Sequence, residues 1–135
     1  MKQLKVKADV SELDQVLSFA DQVLEEMDCP AKTQMQIDVA VEEIFVNIAN
    51  YAYPNGEGEA EISIDADKEA KSVSILFEDQ GTPYDPLKNE DPDITLSAED
   101  RPIGGLGIFM VKKSMDDVSY EYKDGKNILT LKKTL

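Results

Sequence analysis

Three short stretches of the chain carry residues able to do chemistry. In "VEEIFVNIANYAYP", Val41 to Pro54, Glu43 stands four residues before Asn47 in an otherwise apolar pattern. At helical spacing the two share a strip beside the apolar face made by Ile37, Val41, Ile44, Ile48 and Ala52. Gln36 and Asn50 lie near that strip, and Glu42 points away from it. An acid and an amide at the edge of a core can line a cleft, or can simply solvate the helix. In "FEDQGTP", Asp79 ends a strand-like run and Gly81 follows. A carboxylate there can accept a hydrogen bond from an exocyclic amine such as adenine's, although Asp-x-Gly is also an ordinary turn. In "GGLG", Gly104, Gly105 and Gly107 precede a helix-like segment. Free N–H groups at such a junction suit a phosphate, and the same glycines would serve a hinge. Lys112 and Lys113 follow about one turn later, and no Walker A pattern occurs.

Elements that must position these residues can be read along the chain. Leu4 to Ala8 alternates apolar and polar residues and predicts a strand. Ser11 with Asp14 forms a capping-box pattern, and Leu13, Leu17, Ala20, Leu24 and Met27 predict a helix to about Asp28, broken by Pro30. A second helix is predicted from there to about Tyr53, where Pro54-Asn55-Gly56 stops it. From Glu59 the period becomes two: Ile62, Ile64 and Ala66, then Val73, Ile75 and Phe77 after "DKEAK", predict a hairpin ending at Glu78-Asp79. The segment from Gln80 to Gly107 holds four of the six prolines and reads as a long loop. Ile108, Val111 and Met115 predict a short helix, and "VSYEY" and "NILTLKK" a closing hairpin around Asp124-Gly125. Helices not interleaved singly with strands predict an α+β two-layer sandwich, a mostly antiparallel mixed sheet with helices on one face.

Composition bounds the function. A single domain, residues 1–135, is expected at this length. A net charge of −14, from 28 acids and 14 bases, disfavours nucleic acid. No apolar run approaches the roughly 20 residues of a membrane span, and the opening "MKQLKVKADVSELDQ" lacks a secretory apolar core. With the single cysteine, Cys29, this predicts a cytoplasmic protein without a disulfide. The absence of histidine excludes a Ser-His-Asp triad, histidine-ligated metals and phosphohistidine chemistry within this chain.

Taken in order, Glu-x-x-x-Asn on a helix, Asp-x-Gly after a hairpin, and Gly-Gly-x-Gly before a helix resemble the GHKL ATP-binding superfamily (Bergerat fold). That superfamily includes DNA gyrases, a class of heat-shock chaperones, histidine kinases and mismatch-repair ATPases. The resemblance runs from Leu4 to Lys133. Within it, "EEIFVNIANYAYP", "DQGTPYDP" and "GGLGIFMVKKSMDDVSYEYKDGKNILTLKK" look most like the bacterial anti-sigma-factor serine/threonine kinases.

The resemblance implies roles. Asn47 would coordinate Mg²⁺, and Glu43 would be the general base on the attacking hydroxyl. Asp79 would bind adenine, Gly81 would keep that pocket open, and Gly105 and Gly107 would contact phosphate. Asn50, Gly104, Leu106 and Ile108 complete the implied ATP-binding set. Magnesium takes oxygen ligands and keeps several waters, so one amide oxygen with phosphates can hold it. The implied partners are an anti-sigma-factor antagonist protein as phosphate acceptor, a sigma factor and a second copy in a homodimer. Two departures stand out. Tyr51 occupies a position where such kinases often carry histidine. The lid segment "LKNEDPDITLSAEDRPI" is acidic, with Lys88 and Arg101 its only basic residues. The alternative function is a nucleotide-dependent binding switch that transfers no phosphate. A severed histidine-kinase catalytic domain is a weaker third reading.

Overall fold

The structure is a computed structural model that describes residues 1–54, 56–88 and 106–135. Its elements run β1 (Lys2–Lys7), α1 (Leu13–Glu26), α2 (Ala31–Tyr51), β2 (Glu59–Asp67), β3 (Ser72–Asp79), α3 (Leu106–Ser114), β4 (Asp117–Lys123) and β5 (Lys126–Thr134). The five strands form one sheet in the order β1-β2-β3-β5-β4. Each of these pairings is antiparallel, so the expected mixed character is absent among the described residues. The α+β class and the predicted order of elements hold.

Register explains why one sheet face is the core. Ile62, Phe77 and Leu129 stand side by side across β2, β3 and β5, and so do Ile64, Ile75 and Leu131. All six are buried, as is Val73. Strand periodicity sends their neighbours, among them Glu61 and Glu78, to the opposite face. Val16, Ala20, Val23 and Leu24 of α1 join the same core, with Ile37, Ala40, Val41, Ile44 and Phe45 of α2. Ile108, Val111 and Met115, the predicted stripe around α3, complete it. Burying a side chain such as Phe45 or Phe77 contributes about 1.5–3 kcal/mol.

The ends of elements follow local chemistry. The carboxylate of Asp9, not the hydroxyl of Ser11, starts the first helical segment. Asp9 Oδ1 accepts from Ser11 N at 2.9 Å and caps a 3₁₀ turn, Val10–Glu12, that leads into α1. The predicted Ser11 capping box is therefore displaced by an acid two residues earlier, which reaches a free N–H sooner. Before Pro30 can act, Asp28 turns left-handed (φ 54°) and Cys29 N donates back to Leu24 O at 3.1 Å. Asp124 and Gly125 both have positive φ, 54° and 78°, as a tight β-hairpin turn requires.

Candidate functional site

The second helix carries Glu43, Asn47 and Tyr51 in steps of four, and their surroundings differ. Glu43 and Asn47 are half-buried, whereas Glu42 is exposed on another side of the helix. Ile44, Asn47, Ile48, Tyr51 and Ala52 form one wall of a narrow cavity, partly open to solvent. Phe77 and Asp79 of β3 form a second wall, and Tyr120, Asn127 and Leu129 of β4 and β5 a third. Thr82, Tyr84 and Pro86, from the segment after β3, complete the lining. Pockets of this kind hold flat apolar ligands and orient them by a few polar groups.

Those polar groups are held in a dense network. Asp79 is 6% exposed and pairs across the sheet with Ala60 and Asn127. Its Oδ1 accepts from Gly81 N and from Asn127 Nδ2, each at 2.9 Å. Its Oδ2 has no protein donor among the described residues. Asn127, also 6% exposed, uses its whole amide. Its Nδ2 donates to Asp79 and, at 3.0 Å, to Thr82 O, while its Oδ1 accepts from Tyr84 N at 3.1 Å and from the Tyr120 hydroxyl. A buried amide with all four valences met fixes the groups around it. Burial also pushes the Tyr120 phenol up from its ordinary pKa, so it remains a hydrogen-bond donor at neutral pH.

Gly81 is required by contact. A Cβ there would lie 2.6 Å from both the carbonyl carbon and the Cβ of Ala52, at the end of α2. The next residue, Thr82, donates from its N to Ala52 O at 2.8 Å. Nearby, the Tyr53 hydroxyl donates to Glu59 O at 2.7 Å and accepts from Gln80 N at 2.9 Å. These bonds tie the end of α2 to β2 and to the exit from β3. Asn47 and Asp79 thereby face one cavity from different layers.

Glu43 lies outside the cavity lining. Its carboxylate sits where a side chain on Gly107 would have to go. Gly107 is the second residue of α3, so the carboxylate meets the positive end of that helix, which favours negative charge. Glu43 and Asn47 of α2, Asp79 of β3 and Gly107 of α3 are thus the described residues of the three motifs, with Asn47 and Asp79 on one cavity and Gly107 against Glu43.

Other candidates fall differently. Asn50 is exposed and does not line the cavity. Ile108 is buried in the core, and Leu106 opens α3. Lys113 places its Nζ 5.5 Å from the Phe109 ring centroid, a cation–π contact. Gly104, Gly105 and Arg101 lie outside the described residues, as does the predicted lid after Lys88. Asn127, Tyr120 and Tyr84 were missed by sequence reasoning. A signal for Asn127 existed, since it alternates in phase with Leu129 and Leu131 and so places an amide on a buried face.

Comparison with known proteins agrees with this geometry. The family described as "Histidine kinase-like ATPase domain" matches residues 6–133. The chain is 30% identical over 101 residues to the serine/threonine-protein kinase BtrW of Bordetella bronchiseptica, covering 75% of this chain and 70% of that protein. It is 29% identical over 100 residues to the serine-protein kinase RsbW of Listeria monocytogenes, covering 71% and 63%. To RsbW of Bacillus cereus it is 30% identical over 98 residues, covering 70% and 60%. The chain thus spans less than two thirds of the RsbW proteins it matches. A match along nearly its whole length, on an α+β fold with the expected order of elements, places the chain in the histidine kinase-like ATPase domain family.

Proposed function

We propose that the protein is an ATP-dependent protein serine/threonine kinase whose acceptor is a serine or threonine of an anti-sigma-factor antagonist, and that it also binds a sigma factor. The observation that carries this reading is the Glu43 carboxylate beneath Gly107, one helical turn from Asn47 on the cavity wall. The relatives' names as serine or serine/threonine kinases support it.

The residues present fit adenine and a magnesium–phosphate group. The cavity is mostly apolar, and Asp79 Oδ2, without a protein donor among the described residues, is suited to accept from the exocyclic amine of adenine. Asn47 supplies an amide oxygen for Mg²⁺, an oxygen-seeking ion. Gly107, bare of a side chain near the start of α3, lets the Glu43 carboxylate approach the backbone, and the N–H groups of that helix start suit a phosphate. Magnesium, when bound, neutralises charge on the phosphates. Glu43 accepts the proton of the acceptor hydroxyl as its oxygen attacks the terminal phosphorus in line, and ADP leaves. We place the protein in the bacterial cytoplasm as a homodimer, as its resemblance to the anti-sigma kinases implies.

Two measurements test the reading. Calorimetry should detect ATP binding that requires Mg²⁺. Labelled γ-phosphate should then pass to a serine or threonine of a purified antagonist encoded beside this protein. Binding without transfer to any such antagonist would replace the kinase by a nucleotide-dependent switch. No binding at all would overturn both.

A further inference from the structure

A second concavity lies between the first two helices and shares no lining residue with the cavity above. Leu17 of α1 and Ala31, Gln34, Met35, Asp38, Val39 and Glu42 of α2 line it. Leu17, Ala31, Met35 and Val39 supply its apolar part, and two of these side chains stand open to solvent: Met35 is 68% exposed and Val39 54%. An aliphatic and a thioether side chain on one face of a helix form an adaptable apolar surface.

The polar part of the groove is unbalanced. Asp38 Oδ1 is shut off from solvent and has no hydrogen-bond partner. The groups facing Asp38 are acidic or neutral. From α1 come Asp21, to which it is hydrogen-bonded, and Glu25; Gln34 of α2 donates its Nε2 to Asp21 Oδ1 at 3.0 Å. Cys29, whose thiol is pushed up by burial and then by the charge of Asp38, is the other titratable neighbour. Burial first, then the bond to Asp21 and the charges of Asp21 and Glu25, push Asp38 up to about 7. None of the residues lining the groove is basic. A carboxylate oxygen shut off from solvent without a partner is costly, and the missing group is either a proton or a positive charge. Among the described residues, no three potential ligands stand where they could hold a metal ion.

We propose that this groove is the docking site for a basic amphipathic helix of a partner protein. Its apolar side would rest on Leu17, Met35 and Val39, and a lysine or arginine would pair with Asp38. Helix-in-groove recognition needs this combination of an apolar trough and a complementary charged rim. Charge selects among occupants. The chain's own segment 89–105 carries Glu90, Asp91, Asp93, Glu99 and Asp100 against Arg101 alone, so it would be repelled. A second copy would bring its own share of a net charge of −14. A basic segment relieves both the exposed apolar surface and the unpaired acid. The inference is independent of the kinase reading.

The test uses the full ¹⁵N-labelled chain and a synthetic helical peptide of leucine and lysine with one apolar face. Controls are a scrambled peptide of the same composition and one with glutamine replacing lysine. Amide shifts should centre on Leu17, Met35, Asp38 and Val39, with affinity at least tenfold above both controls. Met35→Glu and Val39→Glu, at open positions, should each weaken binding at least tenfold. Both substitutions add negative charge, so that loss reads the apolar contact and not attraction to an acidic protein. Asp38→Asn should bring the lysine peptide down to the affinity of the glutamine peptide. Equal binding of the scrambled peptide, shifts centred elsewhere, or indifference to Met35→Glu in a folded variant would overturn the proposal. Concentration-dependent shifts at the same residues without peptide would also overturn it, and would assign the groove to a second copy.

Discussion

Gly107 lies so close over the Glu43 carboxylate that a Cβ built on it would overlap Glu43 Cδ and both carboxylate oxygens. The overlapped atoms are the end of a flexible side chain, so the helix can absorb an alanine by turning Glu43 aside. Alanine is also better in a helix than glycine by about 1 kcal/mol. Gly107→Ala should therefore leave the melting temperature equal or slightly higher. Phosphoryl transfer should fall by about 10²–10⁴-fold, as when a general base is lost. Single-turnover rates beside a thermal melt check this, and an unchanged rate would remove Glu43 from the reaction.

Glu42 and Glu43 are adjacent acids that helical geometry separates. Glu43 is half-buried against α3, whereas Glu42 is exposed and borders the α1–α2 groove. Glu43→Gln should keep ATP binding and lose transfer by about 10²–10⁴-fold. Glu42→Gln should retain both. If the two variants behave alike, the assignment of the base to Glu43 is wrong.

Asn47 is half-buried on the cavity wall and not part of the packed stripe of α2. Asn47→Ala should abolish Mg²⁺-dependent ATP binding in calorimetry and leave the unfolding midpoint nearly unchanged. Normal MgATP affinity in the folded variant would exclude Asn47 as a ligand.

Asn127→Ala should cost both stability and affinity. It removes donors to Asp79 and Thr82 and the acceptor for Tyr84 N and the Tyr120 hydroxyl. Leaving buried polar groups unpaired costs about 1–3 kcal/mol, which urea unfolding would read as a lower midpoint at an unchanged slope. ATP affinity should drop at least tenfold because Asp79 loses the group that orients it. Intact affinity would mean that Gly81 N alone holds Asp79 in place.

Asp38 makes stability depend on pH. Folded, it keeps its proton up to about pH 7, whereas an ordinary aspartate releases it near 3.8. Between those values the folded chain holds a proton that the unfolded chain has lost. The contribution of this group therefore falls as pH rises through that window and is flat above it. Asp38→Asn removes the charge, so its gain in melting temperature over wild type should grow from pH 5 to pH 8. A gain that is the same at every pH would show that Asp38 titrates normally.

Much of this architecture is legible along the chain because it depends on local pattern. A period of two predicts β2, β3 and β5, and a period near 3.6 predicts α1, α2 and the stripe of α3. Asp124-Gly125 announces its turn because both residues tolerate positive φ. Even the strip shared by Glu43 and Asn47, with Glu42 rotated off it, follows from helical geometry alone. Local reasoning fails where two local options compete. Ser11 and Asp9 could each cap the first helical segment, and only the path of the backbone shows that Asp9 does so.

Sequence alone thus determined the elements, their order and the residue types available for chemistry. The tertiary structure decided which of them meet. Asp79 and Asn127 are 48 residues apart and become neighbours through the β3–β5 register, which no periodicity encodes. Gly107 reaches Glu43 because α3 packs on α2, and Asn50 is left outside because α2 ends one residue later with that side turned to water. The acid pair of Asp21 and Asp38 likewise exists only once α1 and α2 are packed. Side-chain identity and spacing are properties of the chain, whereas distance between remote residues is set by the one packing that buries the core.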